Sequence, residues 1–104
     1  MSEFVRVLPL ESLKEGDVVP ARLDGLFLAL YLIDGQPYCT DDVCTHEDNL
    51  LSDGGFVEGD EVECAWHGAR YNLKTGEVTR LPASFPIRTY PVEVRDGMVY
   101  VAIS

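Results

Sequence analysis

Residues 24–35 read DGLFLALYLIDG, an unbroken apolar run from Leu26 to Ile33 with an Asp-Gly pair at each end. Asp-Gly is a typical tight-turn sequence, and a run of this length between two turns suits a strand that is buried on both faces. Periodicity alone also permits a buried helical segment, but the short length and the flanking turns favour the strand. This stretch therefore predicts the central strand of a β-fold.

Further turn signals recur along the chain and separate additional candidate strands. The turns are predicted at Gly54-Gly55, Gly59-Asp60, Thr75-Gly76 and Asp96-Gly97, and the strands at 18–23, 36–40, 61–64, 88–95 and 98–103. Only Leu10 to Glu15 suits a helical turn, which Gly16 would end. The sequence predicts an all-β fold, either an antiparallel sandwich or a small barrel.

Length and charge exclude several classes of protein. The 104 residues suffice for one domain, and a hydrophobic fraction of 46% supplies enough side chains for a core. A formal net charge of −10 speaks against binding nucleic acid or an anionic membrane. No run approaches the roughly 20 apolar residues of a membrane span, and residues 1–13 contain no signal-peptide core. We expect a cytoplasmic protein.

The acidic residues are concentrated in one part of the chain. Nine of the 18 lie between Asp41 and Glu63, a stretch that contains no lysine or arginine. Such a stretch is either a solvated face or a docking surface for a basic partner, and the sequence leaves both interpretations open.

Each of the two histidines lies beside a cysteine, as Cys44-Thr45-His46 and as Cys64-Ala65-Trp66-His67. Three cysteines is an odd number, which argues against a disulfide framework and for metal or redox use. A Cys-x-His pair is unusual for structural zinc, whereas two cysteines and two histidines suit a [2Fe-2S] cluster whose irons take different ligands. The remaining Cys39 is interpreted as a small buried apolar residue.

Three motifs resemble the Rieske signature: Cys44-Thr45-His46, Cys64-x-x-His67-Gly68 and Tyr71-Asn72-x-x-Thr75-Gly76. The whole chain is similar to the Rieske-type ferredoxins of bacterial aromatic-ring-hydroxylating dioxygenase systems. The resemblance implies a Rieske fold, an antiparallel β-sandwich base with a small inserted cluster-binding subdomain of two loops. Residues 1–104 would form a single Rieske domain, with the cluster-binding subdomain at about 41–82 and the base at about 1–40 and 83–104.

The resemblance also implies the ligands and the function. Cys44 and Cys64 would bind one iron of a Rieske-type [2Fe-2S] cluster, and His46 and His67 the other. The chain would be a soluble, monomeric one-electron carrier without catalytic residues, active in aromatic hydrocarbon catabolism. It would pass electrons from a flavin-containing NADH-dependent ferredoxin reductase to a terminal oxygenase. Two alternatives stay open: the small Rieske subunit of an NADH-dependent nitrite reductase, and a zinc-stabilised interaction module.

Departures from high-potential Rieske proteins predict a low reduction potential. Those relatives carry a disulfide-bonded cysteine in each cluster loop and a serine that donates to a cluster sulfur, where this chain has Asn49, Trp66 and Ala69. Hydrogen bonds to sulfur stabilise the reduced cluster, so their loss lowers the potential, to roughly −150 mV at the low end of the Rieske range.

Four further residues are predicted to shape the cluster environment. Tyr71 is expected to donate a hydrogen bond to a cysteine sulfur, and Gly68 to allow a close backbone approach. Glu47 would place a carboxylate beside the cluster and help to keep the potential low. Trp66 is interpreted as a shield for the cluster.

Overall fold

The apolar run Leu26–Ile33 forms the central strand of the protein, with the predicted bounds. The computed structural model describes residues 3–44, 49–65, 68–80 and 85–103. Over these residues the strands are β1 Phe4–Pro9, β2 Val19–Leu23, β3 Leu26–Ile33, β4 Gln36–Asp41, β5 Phe56–Glu58, β6 Glu61–Glu63, β7 Arg70–Asn72, β8 Val78–Arg80, β9 Thr89–Tyr90, β10 Val92–Arg95 and β11 Met98–Ala102. A 3-10 helix at Leu10–Ser12 occupies the segment where a helical turn was predicted.

The strands form three antiparallel sheets, ordered β1-β11-β10, β2-β3-β4-β9 and β5-β6-β7-β8. The second sheet contacts both of the others, because alternate side chains of a strand point to opposite faces. Leu28 and Leu30 of β3 pack in one core cluster with Val99 and Val101 of β11. Their neighbours Ala29, Tyr31 and Ile33 pack in a second cluster against the β5–β8 sheet. Burial on both faces explains why the run is apolar at every position from Leu28 to Tyr31, whereas Phe27 is 38% exposed.

The prediction of one strand at 88–95 is wrong, because this segment forms two strands, β9 and β10, that belong to different sheets. Thr89–Tyr90 pairs with β4, whereas Val92–Arg95 pairs with β11. Pro91 lies between them, and proline has no backbone N–H to donate to a ladder. The chain changes sheets at this residue.

The predicted hairpin between the two Cys-His pairs is present as β5 and β6, joined at Gly59-Asp60. The strands β7 and β8 complete this small sheet and were not predicted from the sequence, since three residues are too few to show an alternating pattern. The sheet spans residues 56–80, and Cys64 follows its strand β6 directly. Among the described residues, no helix is long and apolar enough to cross a membrane.

Candidate metal centre

The two cysteines of the Cys-His pairs lie at the necks of two loops. The backbone N–H of Cys44 donates to Asn49 O at 2.8 Å, and that of Cys64 donates to Ala69 O at 2.8 Å. Both cysteines are almost fully buried, 3% and 0% exposed, in the core cluster between the second sheet and the β5–β8 sheet. Neither forms a disulfide. Each loop therefore has a fixed neck that holds a thiol in the core.

His46, Glu47, Trp66 and His67 lie outside the described residues, so the histidine half of the predicted ligand set has no structural description. Within the described ranges, no group of three or more metal-ligating side chains occurs. The donor chemistry of the described half does fit a Rieske-type cluster. Two buried thiols on separate loops, each followed within three residues by a histidine, offer sulfur to one iron and imidazole nitrogen to the other.

Tyr71 contacts one of these thiols. Its side chain is fully buried, and its hydroxyl lies 3.0 Å from Cys44 Sγ, the kind of contact that was predicted for it. A thiolate bound to iron has no proton, so the phenol must be the donor in the cluster-loaded protein. This hydrogen bond stabilises negative charge on sulfur.

We expect Tyr71→Phe to lower the reduction potential by about 40–60 mV. A hydrogen bond to a charged group contributes about 1.5–3 kcal/mol, and only the part gained on reduction shifts the potential, because the bond is present in both oxidation states. A gain of about 1–1.5 kcal/mol gives this shift, since 59 mV corresponds to a tenfold change in the equilibrium constant of a one-electron couple. The measurement is a redox titration followed by visible circular dichroism. Tyr31→Phe is the matched control, because Tyr31 is equally buried but bonds Thr40 Oγ1 at 2.8 Å. Equal shifts in both variants would contradict the assigned role.

Asp42 supports the first loop and was not identified from the sequence as a structural residue. Its side chain is 1% exposed, and its carboxylate accepts bonds from the backbone N–H of Ser52 at 2.7 Å and from Ser52 Oγ at 2.5 Å. Its backbone carbonyl accepts from Leu51 N at 2.7 Å. Asp42 thus fixes the returning branch of the loop and contributes nothing to an acidic surface. In a stretch with nine acidic residues, the sequence does not distinguish a buried carboxylate from an exposed one.

Gly54 brings the two loop regions together. Its φ is +89°, and a Cβ added there would lie 3.1 Å from Ala65 Cβ. The segment after the first loop therefore packs against the residue that follows Cys64, and a larger side chain at position 54 would push them apart. This contact also gives Ala65 a packing role that the sequence did not suggest.

Most described acids of the 41–63 stretch contact a partner. Arg70 Nε donates to Glu63 Oε1 at 2.7 Å, and Arg70 Nη1 lies 3.2 Å from Glu58 and 3.4 Å from Glu61. These carboxylates raise the pKa of Arg70, mainly through the hydrogen bond that Arg70 donates to Glu63. Two further acids contact residues outside the stretch: Asp60 pairs with Lys74 at 3.5 Å, and Asp41 accepts from the Tyr90 hydroxyl. The stretch lacks cations in sequence, but folding supplies them.

Cys39 lies in the other core cluster, away from Cys44 and Cys64. Its side chain is 1% exposed. Burial, and to a smaller extent the nearby Asp41 carboxylate, raises the pKa of its thiol to about 12. The thiol therefore stays protonated at neutral pH, as befits the apolar role expected from the sequence and not a thiolate ligand.

Comparison with known proteins agrees with this geometry. Residues 3–91 match the family described as the Rieske [2Fe-2S] domain. The ferredoxin component of the p-cumate 2,3-dioxygenase system of Pseudomonas putida is 34% identical over 104 residues, which cover 99% of this chain and 88% of that protein. A ferredoxin of Sphingomonas yanoikuyae B1 superposes with a TM-score of 0.92 at 34% identity, over 98% of this chain and 100% of that one.

A second similar structure is a complex of reduced oxygenase and oxidized ferredoxin in carbazole 1,9a-dioxygenase. Its matching chain has a TM-score of 0.87 at 35% identity, over 94% of this chain and 100% of that one. The chain belongs to the Rieske [2Fe-2S] domain family.

Proposed function

We propose that this protein is a one-electron carrier that uses one Rieske-type [2Fe-2S] cluster to deliver electrons to a terminal aromatic-ring-hydroxylating oxygenase. The observation that carries the proposal is the pair of buried thiols, Cys44 and Cys64, at two closed loop necks, with the Tyr71 hydroxyl on the Cys44 sulfur. The similar p-cumate system ferredoxin supports the carrier role, and the similar carbazole dioxygenase complex supports an oxygenase as partner.

The proposed ligands are Cys44, Cys64, His46 and His67. When bound, the cluster supplies a site that accepts and releases one electron. The chain's own residues hold the two thiols away from water, since Leu51, Val62 and Leu73 surround them in the core cluster and are at most 1% exposed. Tyr71 adds a fixed hydrogen-bond donor, which sets the stability of the charged sulfur without any rearrangement.

The finer parts of the proposal concern partners and organisation. We assign electron supply to a flavin-containing NADH-dependent reductase, and we place the protein in the cytoplasm as a monomer without catalytic activity of its own. The cluster-binding subdomain would comprise about 41–82, a range that includes the β5–β8 sheet. The identity of the aromatic compound would be decided by the oxygenase.

Purification with spectroscopy and a coulometric titration tests the proposal. We expect two iron atoms and two acid-labile sulfides per chain, a coloured oxidised form, and a paramagnetic form after the uptake of one electron. A colourless protein that holds one zinc ion would refute the proposal in favour of a zinc-stabilised module. Purification from its source as a tight complex with a sirohaem subunit would refute it in favour of a nitrite reductase component.

A further inference from the structure

The outer face of the β5–β8 sheet carries charged side chains in two cross-strand rows. The inward residues Val57, Val62, Tyr71 and Val78 belong to or pack on the core, so their neighbours point to the other face. The strand register places Phe56, Glu63, Arg70 and Arg80 in one row, at the end of the sheet from which the second cluster loop leaves. Glu58, Glu61 and Asn72 form the other row, beside the Gly59-Asp60 turn.

The two rows carry different charged groups. The row beside the turn carries two carboxylates, from Glu58 and Glu61. The row beside the loop carries two guanidinium groups against one carboxylate, because Glu63 Oε1 lies between Arg70 Nε at 2.7 Å and Arg80 Nη1 at 3.1 Å. Because Arg70 Nη1 also lies 3.2 Å from Glu58 and 3.4 Å from Glu61, the charge of Arg70 is shared between the two rows. Arg80 is the cation that belongs to the loop end alone, although the whole chain has a net charge of −10.

Arg80 is the exposed cation of the row beside the loop. Its side chain is 58% exposed, whereas that of Arg70 is 20% exposed and spans three carboxylates. Arg80 Nη1 lies 3.9 Å from the position that a Cβ on Gly68 would take. Gly68 directly follows His67 in the chain, so the Arg80 charge lies at the edge of the second cluster loop.

We propose that Arg80, backed by Glu63 and Arg70, is an anion-accepting contact at this edge, to which the terminal oxygenase presents a carboxylate side chain. The inference rests on the proposed function, since it names the chemistry of that same docking step. Charge complementarity favours a carboxylate here, because a partner with only basic groups opposite this edge would place like charges next to the Arg80 guanidinium. Glu58 and Glu61 lie at the far end of the same face, where Arg70 already contacts both carboxylates.

Small redox ions of opposite charge test the local sign directly. One electron passes from the reduced protein to the oxidant, giving ferrocyanide from ferricyanide, or cobalt(II) from hexaamminecobalt(III). At about 10 mM salt we expect Arg80→Gln to slow oxidation by ferricyanide roughly fivefold and to speed oxidation by hexaamminecobalt(III) by a similar factor. Both effects should shrink towards unity at about 0.5 M salt. A change in driving force would move both rates in the same direction, so opposite responses isolate the local charge.

Arg95→Gln is the matched control, because it removes the same charge from an arginine of similar exposure, 50%, on β10 of another sheet. We expect this variant to change either rate by less than about 1.5-fold at low salt. Equal effects of the two substitutions would overturn the proposal, since the rates would then follow net charge alone.

Binding of an inert anion supplies a readout that needs no electron transfer. Hexacyanochromate(III) is paramagnetic and broadens the NMR signals of amides near which it binds. We expect selective broadening at Thr79 and Arg80 in the oxidised protein, abolished by Arg80→Gln and kept in Arg95→Gln. Broadening that avoids this edge would overturn the proposal, while a protein without a reducible cluster would refute the carrier function and leave this binding result independent of it.

Discussion

We expect Cys64→Ala to be isolated without a [2Fe-2S] cluster, whereas Cys39→Ala keeps a full complement of iron and sulfide. Both cysteines are buried, at 0% and 1% exposure, so the two substitutions are matched in chemistry and in burial. Only Cys64 lies in the core cluster that also contains Cys44, at a loop neck closed by a 2.8 Å backbone bond. Loss of one of two thiolates removes half of the anchoring of the sulfur-bound iron.

The measurement is iron and acid-labile sulfide per chain, with the visible spectrum as a second readout. Cys39→Ala leaves a small void in the base sandwich, and we expect it to reduce the free energy of unfolding by about 1–2 kcal/mol without changing the spectrum. Retention of the cluster in Cys64→Ala would show that the ligand set is wrong. Loss of the cluster in a stably folded Cys39→Ala variant would show the same.

The second large effect concerns Gly76, the last residue of the Tyr71-Asn72-x-x-Thr75-Gly76 motif. Asn72 Oδ1 accepts bonds from Lys74 N at 2.8 Å and from Thr75 N at 3.2 Å, which form the turn that Gly76 completes. Ile87 N then donates to Gly76 O at 2.8 Å. The motif thus attaches the β7–β8 turn to the segment that returns to the base, which gives it a structural function beside the metal centre.

We expect Gly76→Ala to reduce the free energy of unfolding by roughly 3–5 kcal/mol. The φ of Gly76 is +81°, and an added Cβ would lie 2.2 Å from the carbonyl oxygen of Ile87, a distance that forces the backbone to move. The measurement is urea unfolding followed by far-ultraviolet circular dichroism.

Gly35→Ala separates the two contributions. Gly35 has almost the same φ, +78°, but an added Cβ there has nothing within 4 Å. The cost should then be only that of a left-handed alanine, about 1–2 kcal/mol. Equal costs at the two positions would mean that the close approach of Ile87 to Gly76 is unimportant for stability.

The sequence predicted the strands that are bounded by turn signals, and it missed β7 and β8 as well as the six-residue strand β1 Phe4–Pro9. Leu26–Ile33 was predicted with its observed bounds, because eight apolar residues between two Asp-Gly turns have few other uses. The three-residue strands β7 and β8 exist only because β6 offers a ladder to pair with. Pro91 shows a third case, in which one apparent strand belongs to two sheets.

For the acidic stretch, the sequence shows which residues are acidic but not which of them are exposed or paired. The sequence alone shows that no lysine or arginine occurs between Asp41 and Glu63. It does not show that the Asp42 carboxylate is buried and accepts a hydrogen bond from Ser52 Oγ. Nor does it show that Arg70 contacts the carboxylates of Glu58, Glu61 and Glu63. These contacts depend on cross-strand register, which pairs residues that are distant in sequence.

The sequence by itself predicted the donor chemistry of this protein, since two Cys-His pairs offer sulfur and nitrogen ligands, and it determined a β-fold through the turn residues between apolar runs. These properties are local, because a ligand type or a turn preference belongs to the residue itself. Only the tertiary structure decided how those residues are used. It placed Tyr71 on the Cys44 sulfur, separated Cys39 from the other cysteines, and placed the exposed Arg80 beside Glu63 at the edge of the second loop. The physical reason is that contacts between strands are set by register and layer packing, which the order of residues along the chain does not specify.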